Sequence, residues 1–295
     1  MRSFFFGNYF YGICATALAV EASLQQGYGL NPFYFYVLIF CATVWFYTLA
    51  YISDVKIIST NERTNWYSSN ARFVARSQCL LLVILAVAGL YMIAQLWEDI
   101  RFITTRQWVL VLLFPLVGAL YYGISYKAWR QFNFRKIGWL KPFVIGFVWA
   151  GVTNVYPIIF SDIIRRTDTA LHIMNFLLLF KNFMFIAVLC IMFDIKDYAS
   201  DANHSIKTFV VKHGLRRTIF YILLPLSLAG LGSLLFWGYF NQFSPMKMLL
   251  NTLPLLCMML VAYSMHKRKS ILYYLILIDG LMLLKAVCGS VAMLY

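Results

Sequence analysis

The chain has 295 residues, of which 62% are hydrophobic and 12% charged, and its mean hydropathy is +0.74. Length alone would allow two soluble domains, but this composition excludes a soluble protein and points to a chain embedded in membrane almost throughout. A formal net charge of +14 raises nucleic acid as a partner, so the placement of that charge has to be examined.

A transmembrane helix needs about 20 mostly apolar residues. Nine segments qualify, at approximately 9–27, 32–53, 73–96, 107–126, 142–160, 170–193, 219–240, 247–265 and 271–292. They predict an all-α polytopic membrane protein with one transmembrane domain over residues 1–295. With the N-terminus inside, 18 of the 25 Lys and Arg fall on the inner side and five, Arg101, Arg106, Arg165, Arg166 and Lys247, on the outer side. The positive-inside rule then predicts a cytoplasmic N-terminus and an external C-terminus. Topology and attraction to anionic membrane lipid account for the basicity, and nothing resembles a nucleic-acid module. The six cysteines are scattered through apolar segments without metal or redox spacing, which makes them packing residues.

In chain order, MRSFFFGNYFYG lacks a small-residue cleavage site before the next helix and reads as the start of a retained first helix. That helix carries Glu21 toward its outer end, where a carboxylate is expected to snorkel. The second segment ends at Asp54, and residues 55–72 read as a polar loop. The fourth leaves the membrane through LYYGISYKAWRQFNFRKIGWLK, where Lys127 and Arg135 alternate with aromatic residues. This is either an aromatic belt with inside positives or a basic rim that holds a diphosphate. The outer loop SDIIRRTDT shows mixed charges without an evident function.

Lys181 and Asn182 lie at membrane depth in the sixth segment, and an intramembrane lysine is a functional hypothesis by default. Lys181 stands about 20 Å along the axis and roughly 140° around it from Asp194, so the two belong to different sites. The last segment buries Asp279 and Lys285 on different faces, each expected to meet a partner on another helix.

The chain has 11 acidic residues, yet Asp194, Asp197 and Asp201 share one short window, DIKDYASD, at the end of an apolar segment. On a helix these positions lie within an arc of roughly 60°. Carboxylates that close repel one another unless a cation neutralises them. Hard oxygen ligands without His or Cys point to Mg²⁺, which takes few protein carboxylates and fills its shell with water and substrate phosphate. The plainer alternative is a solvated acidic cap paired with Lys196, Lys207 and Lys212.

Asp194, Asp197 and Asp201, followed by Ile206, Lys207, Thr208 and Gly214, resemble the second aspartate-rich motif of the UbiA superfamily of intramembrane prenyltransferases, D-x-x-D-x-x-x-D followed by G-I-K-T and a later Gly. Nine helices with polar loops after the second, fourth and sixth fit the same family. Its first motif, N-D-x-x-D-x-x-x-D before E-R-T, is degenerate here. Anchoring on Glu62, Arg63 and Thr64 sets Ala50, Tyr51, Asp54 and Ile58 at the four motif positions, so one carboxylate survives. Tyr67 and Ser68 stand in place of the usual Arg-Pro.

The resemblance implies a UbiA-like bundle around a central cavity, in which Mg²⁺ on Asp194, Asp197 and Asp201, helped by Asp54, holds an isoprenyl diphosphate. Lys207, Lys127, Arg135 and Arg63 would add positive charge for the leaving group. Aromatic faces would stabilise the allylic cation by of order 2 kcal/mol per desolvated ring. Capture by a lipophilic acceptor, aromatic or quinone-precursor, makes a prenyltransferase; capture by a double bond of the same chain makes a terpene cyclase. The degenerate first motif supports a rival, a non-catalytic membrane protein that binds a polyprenyl lipid.

Overall fold

In hydrocarbon no water is present to bond a backbone N–H or C=O, so an apolar chain satisfies those groups within helices. The structure, a computed structural model, describes residues 2–53, 62–122, 137–168, 173–203, 206–265 and 270–295. Every regular element among these residues is helical. The chain opens with α1 (Arg2–Phe6), α2 (Tyr9–Gln25) and α3 (Phe33–Ser53). Then come α4 (Glu62–Ser69), α5 (Ala71–Gln95) and α6 (Thr105–Tyr122). Next are α7 (Lys141–Arg165), with a π turn at Gly151–Val155, and α8 (Ile173–Asn203). After α9 (Phe209–His213) and α10 (Leu215–Phe240), the chain ends with α11 (Pro245–Ser264) and α12 (residues 271–292). A π turn at Tyr274–Ile278 runs into Asp279.

Among the described residues each predicted segment overlaps a helix, and six of these helices, α5, α7, α8, α10, α11 and α12, are long and apolar enough to cross a membrane. The apolar parts of α3 and α6, Phe33–Leu49 and Thr105–Tyr121, are shorter, and α2 has 17 residues. The polar loop expected after α3 contains α4, whose Arg63 and Tyr67 are buried. Gly214, at φ +77°, separates α9 from α10, as expected of a helix stop.

The long helices pack in the order α5, α3, α2, α12, α11, α10, α8, α7 and α6, and α2 also touches the π turn of α7. Lipid takes the place of water outside this bundle, so apolar side chains face outward as well as inward. Leu80, Val83, Val87 and Leu90 of α5 are exposed, and the span of α5 is 17% buried against 67% for α7.

Buried polar groups meet in the middle of the bundle. Lys285 Nζ donates to Glu21 Oε2 at 2.5 Å, Lys181 Nζ donates to Gln25 Oε1 at 3.0 Å, and Gln25 Nε2 donates to Asn251 Oδ1 at 2.7 Å. Lys181 Nζ also lies 4.0 Å from Glu21 Oε1. The expected snorkelling of Glu21 is therefore corrected. Glu21 is buried because Lys285 supplies a counter-charge inside the protein, which removes the reason to reach the interface. Gly289 makes the approach of α12 to α2 close enough, since a Cβ there would collide with the Glu21 carboxylate.

The mixed charges of the loop after α7 also have a structural use. Arg166 Nε bonds Asp99 Oδ1 at 2.7 Å and Arg106 pairs with Asp168, tying this loop to the connection between α5 and α6.

Candidate functional site

A cavity of about 850 Å³ runs through the bundle, lined by α2, α3, α6, α7, α8 and α12. This is within the range of ligand pockets, roughly 300–1,000 Å³. Most of its wall is apolar or aromatic, including Phe35, Phe46, Phe114, Trp149 and Phe160. Its charged lining residues are Arg63, Lys141, Lys196, Asp197 and Asp279. The first four stand at the same end of the helices, where α3 and α8 finish and α4 and α7 begin. The space thus has an apolar body and a charged end.

The acidic window forms as a helix, since α8 continues to Asn203. Its three carboxylates nevertheless have three different surroundings. Asp194 is fully buried, and Lys141 Nζ donates to its Oδ1 at 2.7 Å. Its Oδ2 has no hydrogen-bond partner. Asp197 lines the cavity and pairs with Lys196 at 3.0 Å through Oδ1. Asp201 is buried and does not line the cavity. The expectation that all three line one accessible face is therefore met only by Asp197: Lys141 at the start of α7 draws Asp194 into the contact between the two helices, and Asp201 is buried.

The loop into α7 and the segment after α8 also pack tightly. A Cβ on Gly138 would lie 2.5 Å from the Lys207 carbonyl carbon and 2.6 Å from the Thr208 nitrogen, so glycine permits the backbone approach. Buried Thr208 caps α9, its Oγ1 accepting from Val211 N at 3.5 Å. Lys207, expected to face the diphosphate, is exposed and does not line the cavity. With its backbone held against Gly138, its side chain extends outward.

Arg63 does line the cavity, and it is buried. Its guanidinium donates to Phe6 O at 3.1 Å and to Asn8 Oδ1. It also stands over the Tyr51 ring at 4.2 Å. Tyr51 in turn stacks on Tyr67 with centroids 5.1 Å apart. Asn8 Nδ2 donates to Thr48 Oγ1 and to the Tyr67 hydroxyl, each at 3.0 Å. The place where the family sets its first acidic motif is thus occupied in part by an Arg and Tyr stack. Asp54, Lys127 and Arg135 lie outside the described residues.

Sequence reasoning missed the pairing role of Lys141, which it counted only among the inner positive charges, and the cavity-facing positions of Lys196, Tyr11, Tyr47 and Asp279. Of these, Asp279 had a visible signal, a lone acid inside an apolar segment. The others are ordinary residue types at positions that only packing selects.

Among the described residues no group of three His, Cys, Asp or Glu side chains converges to hold a metal ion. Closest to the cavity-facing carboxylate of Asp197 in the acidic window, they offer Mg²⁺ the buried Asp194 Oδ2, which accepts no hydrogen bond. Mg²⁺ commonly takes one or two carboxylates together with substrate phosphates and water. The donor set therefore suits an ion that arrives with a diphosphate and does not suit a preformed cage.

Comparison with solved structures finds a match over 99% of both chains, with 12% identity and a TM-score of 0.58, to a structure described as "Structural and mechanistic insights into the biosynthesis of Digeranylgeranylglyceryl phosphate synthase in membranes". The chain shares the fold of that synthase, itself a UbiA-superfamily intramembrane prenyltransferase. No protein-family model and no curated protein matches the sequence. Six apolar helices and a membrane enzyme of the same fold identify an integral membrane protein.

Proposed function

We propose that this protein is an intramembrane prenyltransferase that ionises an isoprenyl diphosphate and passes the prenyl group to a lipophilic acceptor. The observation that carries this reading is the cavity, apolar and aromatic along its body and charged at one end, within a prenyltransferase fold. A hydrocarbon tail would lie along the phenylalanine and tryptophan walls, and burial of apolar surface would hold it there at about 25 cal/mol per Å². The diphosphate head would meet Arg63, Lys196 and Lys141. Positive charge there stabilises the leaving group as the C–O bond breaks. Asp197 and the free oxygen of Asp194 would hold Mg²⁺, which when bound supplies further neutralisation of the diphosphate.

The allylic cation needs electron-rich faces and little water. Tyr11 stacks on Tyr47 at 4.9 Å, and Trp149 Nε1 donates to the Tyr47 hydroxyl at 2.5 Å, which fixes three rings at the cavity wall. Nine membrane crossings, a cytoplasmic N-terminus and an external C-terminus belong to the same proposal. They are supported by the nine apolar segments and by the excess of Lys and Arg on one side.

One observation favours a second reading. Tyr51, stacked on Tyr67 and covered by Arg63, stands at a position where the family carries an acidic ligand, which is consistent with a non-catalytic binder of a polyprenyl lipid. Incubation of purified protein with Mg²⁺ and isoprenyl diphosphates of several chain lengths separates the two, with products followed by mass spectrometry. Pyrophosphate release with a prenyl adduct supports transfer, release with a cyclic hydrocarbon supports cyclisation, and binding without release supports the binder.

A further inference from the structure

Asn8 stands behind the charged end of the cavity without lining it. It lies in the link between α1 and α2 and is fully buried. Its backbone is left-handed, with φ 65° and ψ 10°, a conformation that asparagine tolerates best after glycine. Asparagine at the start of a helix usually caps it, the side-chain oxygen accepting from the first free N–H groups. Here the side chain makes no such bond to α2. It turns instead to α3 and α4, where Nδ2 donates to Thr48 Oγ1 and to the Tyr67 hydroxyl, each at 3.0 Å, and Oδ1 accepts from Arg63 Nη2. Both donor hydrogens and the acceptor of the amide are thus in use. A glycine would satisfy the backbone, so the side chain has a role of its own.

Of Asn8, Thr48, Tyr67 and Arg63, only Arg63 lines the cavity. Its Nη2 is held by groups that do not, donating to Asn8 Oδ1 and to Phe6 O at 3.1 Å, and the Tyr67 hydroxyl donates to the same carbonyl oxygen at 2.8 Å. The turn that brings this carbonyl into place is tight, since a Cβ on Gly7 would lie 2.6 Å from Ser3 O. The guanidinium covers Tyr51 at 4.2 Å, and Tyr51 is itself a cavity residue. An arginine recognises phosphate through N–H groups fixed in one plane, so its affinity for the anion depends on how that plane is set. We infer that Asn8 is a positioning residue for the charged end of the cavity, fixing the plane of the Arg63 guanidinium for the diphosphate head of an isoprenoid. The identity of that head group rests on the reading under Proposed function. A purely structural Asn8, by contrast, would affect every ligand of the cavity alike.

The test uses the full-length protein in lipid nanodiscs with Mg²⁺, titrated with geranylgeranyl diphosphate and with geranylgeraniol, which keeps the tail and lacks the anionic head. Asn8→Gly suits the left-handed backbone and removes only the side chain. It is expected to weaken diphosphate binding at least about tenfold, the scale of a hydrogen bond to a charged group, and to leave the affinity for geranylgeraniol unchanged. In an Arg63→Met background the same substitution should cause no further loss, because Asn8 acts through Arg63. Equal weakening of both ligands, an unchanged diphosphate affinity in Asn8→Gly, or the full loss again in the Arg63→Met background would overturn the assignment. Should Asn8→Gly unfold, Thr48→Val decides, since it removes one acceptor from Asn8 Nδ2 and leaves Arg63 itself intact. It should weaken diphosphate binding at least about threefold and spare geranylgeraniol; no difference between the two ligands would be the overturning result. Wild-type protein that binds both ligands equally would defeat the diphosphate reading and the positioning role together. The expected binding pattern without any turnover would support the role of Asn8 and defeat the transferase reading alone.

Discussion

Asp194 tolerates complete burial because Lys141 reaches its Oδ1 from the neighbouring helix, whereas Asp197 faces the cavity. Removing one partner of a buried ion pair costs about 3–5 kcal/mol, whereas removing both together costs far less. Lys141→Met is therefore expected to lower the unfolding free energy in detergent by about 3 kcal/mol. Adding Asp194→Asn should restore part of it, which a double-mutant cycle measures. Asp197 has a different role. It faces the cavity at moderate exposure, so Asp197→Asn should leave the melting temperature nearly unchanged. Mg²⁺-dependent turnover of an isoprenyl diphosphate should fall by at least about a hundredfold. Turnover at the wild-type rate in that variant would reject the proposed metal role.

At the scale of the elements, small residues decide how closely charged helices approach. Gly289 faces Glu21 across the contact between α12 and α2, and Glu21 is fixed there by Lys285. A larger side chain at 289 overfills the contact, which typically costs about 1–3 kcal/mol. Gly289→Val should lower the thermal midpoint. Glu21→Ala strands Lys285 and should do the same on its own, yet in combination the two losses should be less than additive, because the shorter residue at 21 clears the space. Additive losses would mean that the contact is not shared. Gly138 works similarly, bringing the start of α7 against the backbone of Lys207 and Thr208. That contact holds the end of α8, and with it Asp197, beside the charged end of the cavity.

For the molecule as a whole, the bundle is charged at one end of its cavity and covered with apolar side chains outside. Lipid solvates the exposed leucines and valines of α5 as well as protein would, so surface hydrophobicity here marks the membrane and not a docking site. The excess of Lys and Arg on one side predicts orientation. Accessibility tags should report the N-terminus on the cytoplasmic side and the C-terminus on the opposite side; the reverse labelling would defeat the proposed topology. The charged end of the cavity would then open toward the cytoplasm, the side from which a water-soluble diphosphate head is supplied.

Membrane class, helical fold and the position of the apolar helices were readable from composition and the length of apolar runs, because hydrocarbon imposes helices on any chain that enters it. The acidic window and the lone Asp279 were also visible, since an ionisable group in an apolar segment is costly and persists where it has a function or a buried partner. The partners were not. Lys141 and Asp194 are separated by 53 positions, and Glu21 and Lys285 by 264. In a soluble helix the polar face marks the outside, but here lipid and core are both apolar, and no periodicity distinguishes a residue that faces the cavity from one that faces the bilayer. Only the packing of α7 along α8, and of α12 along α2, decided which carboxylates were neutralised within the protein and which were left facing the space between the helices.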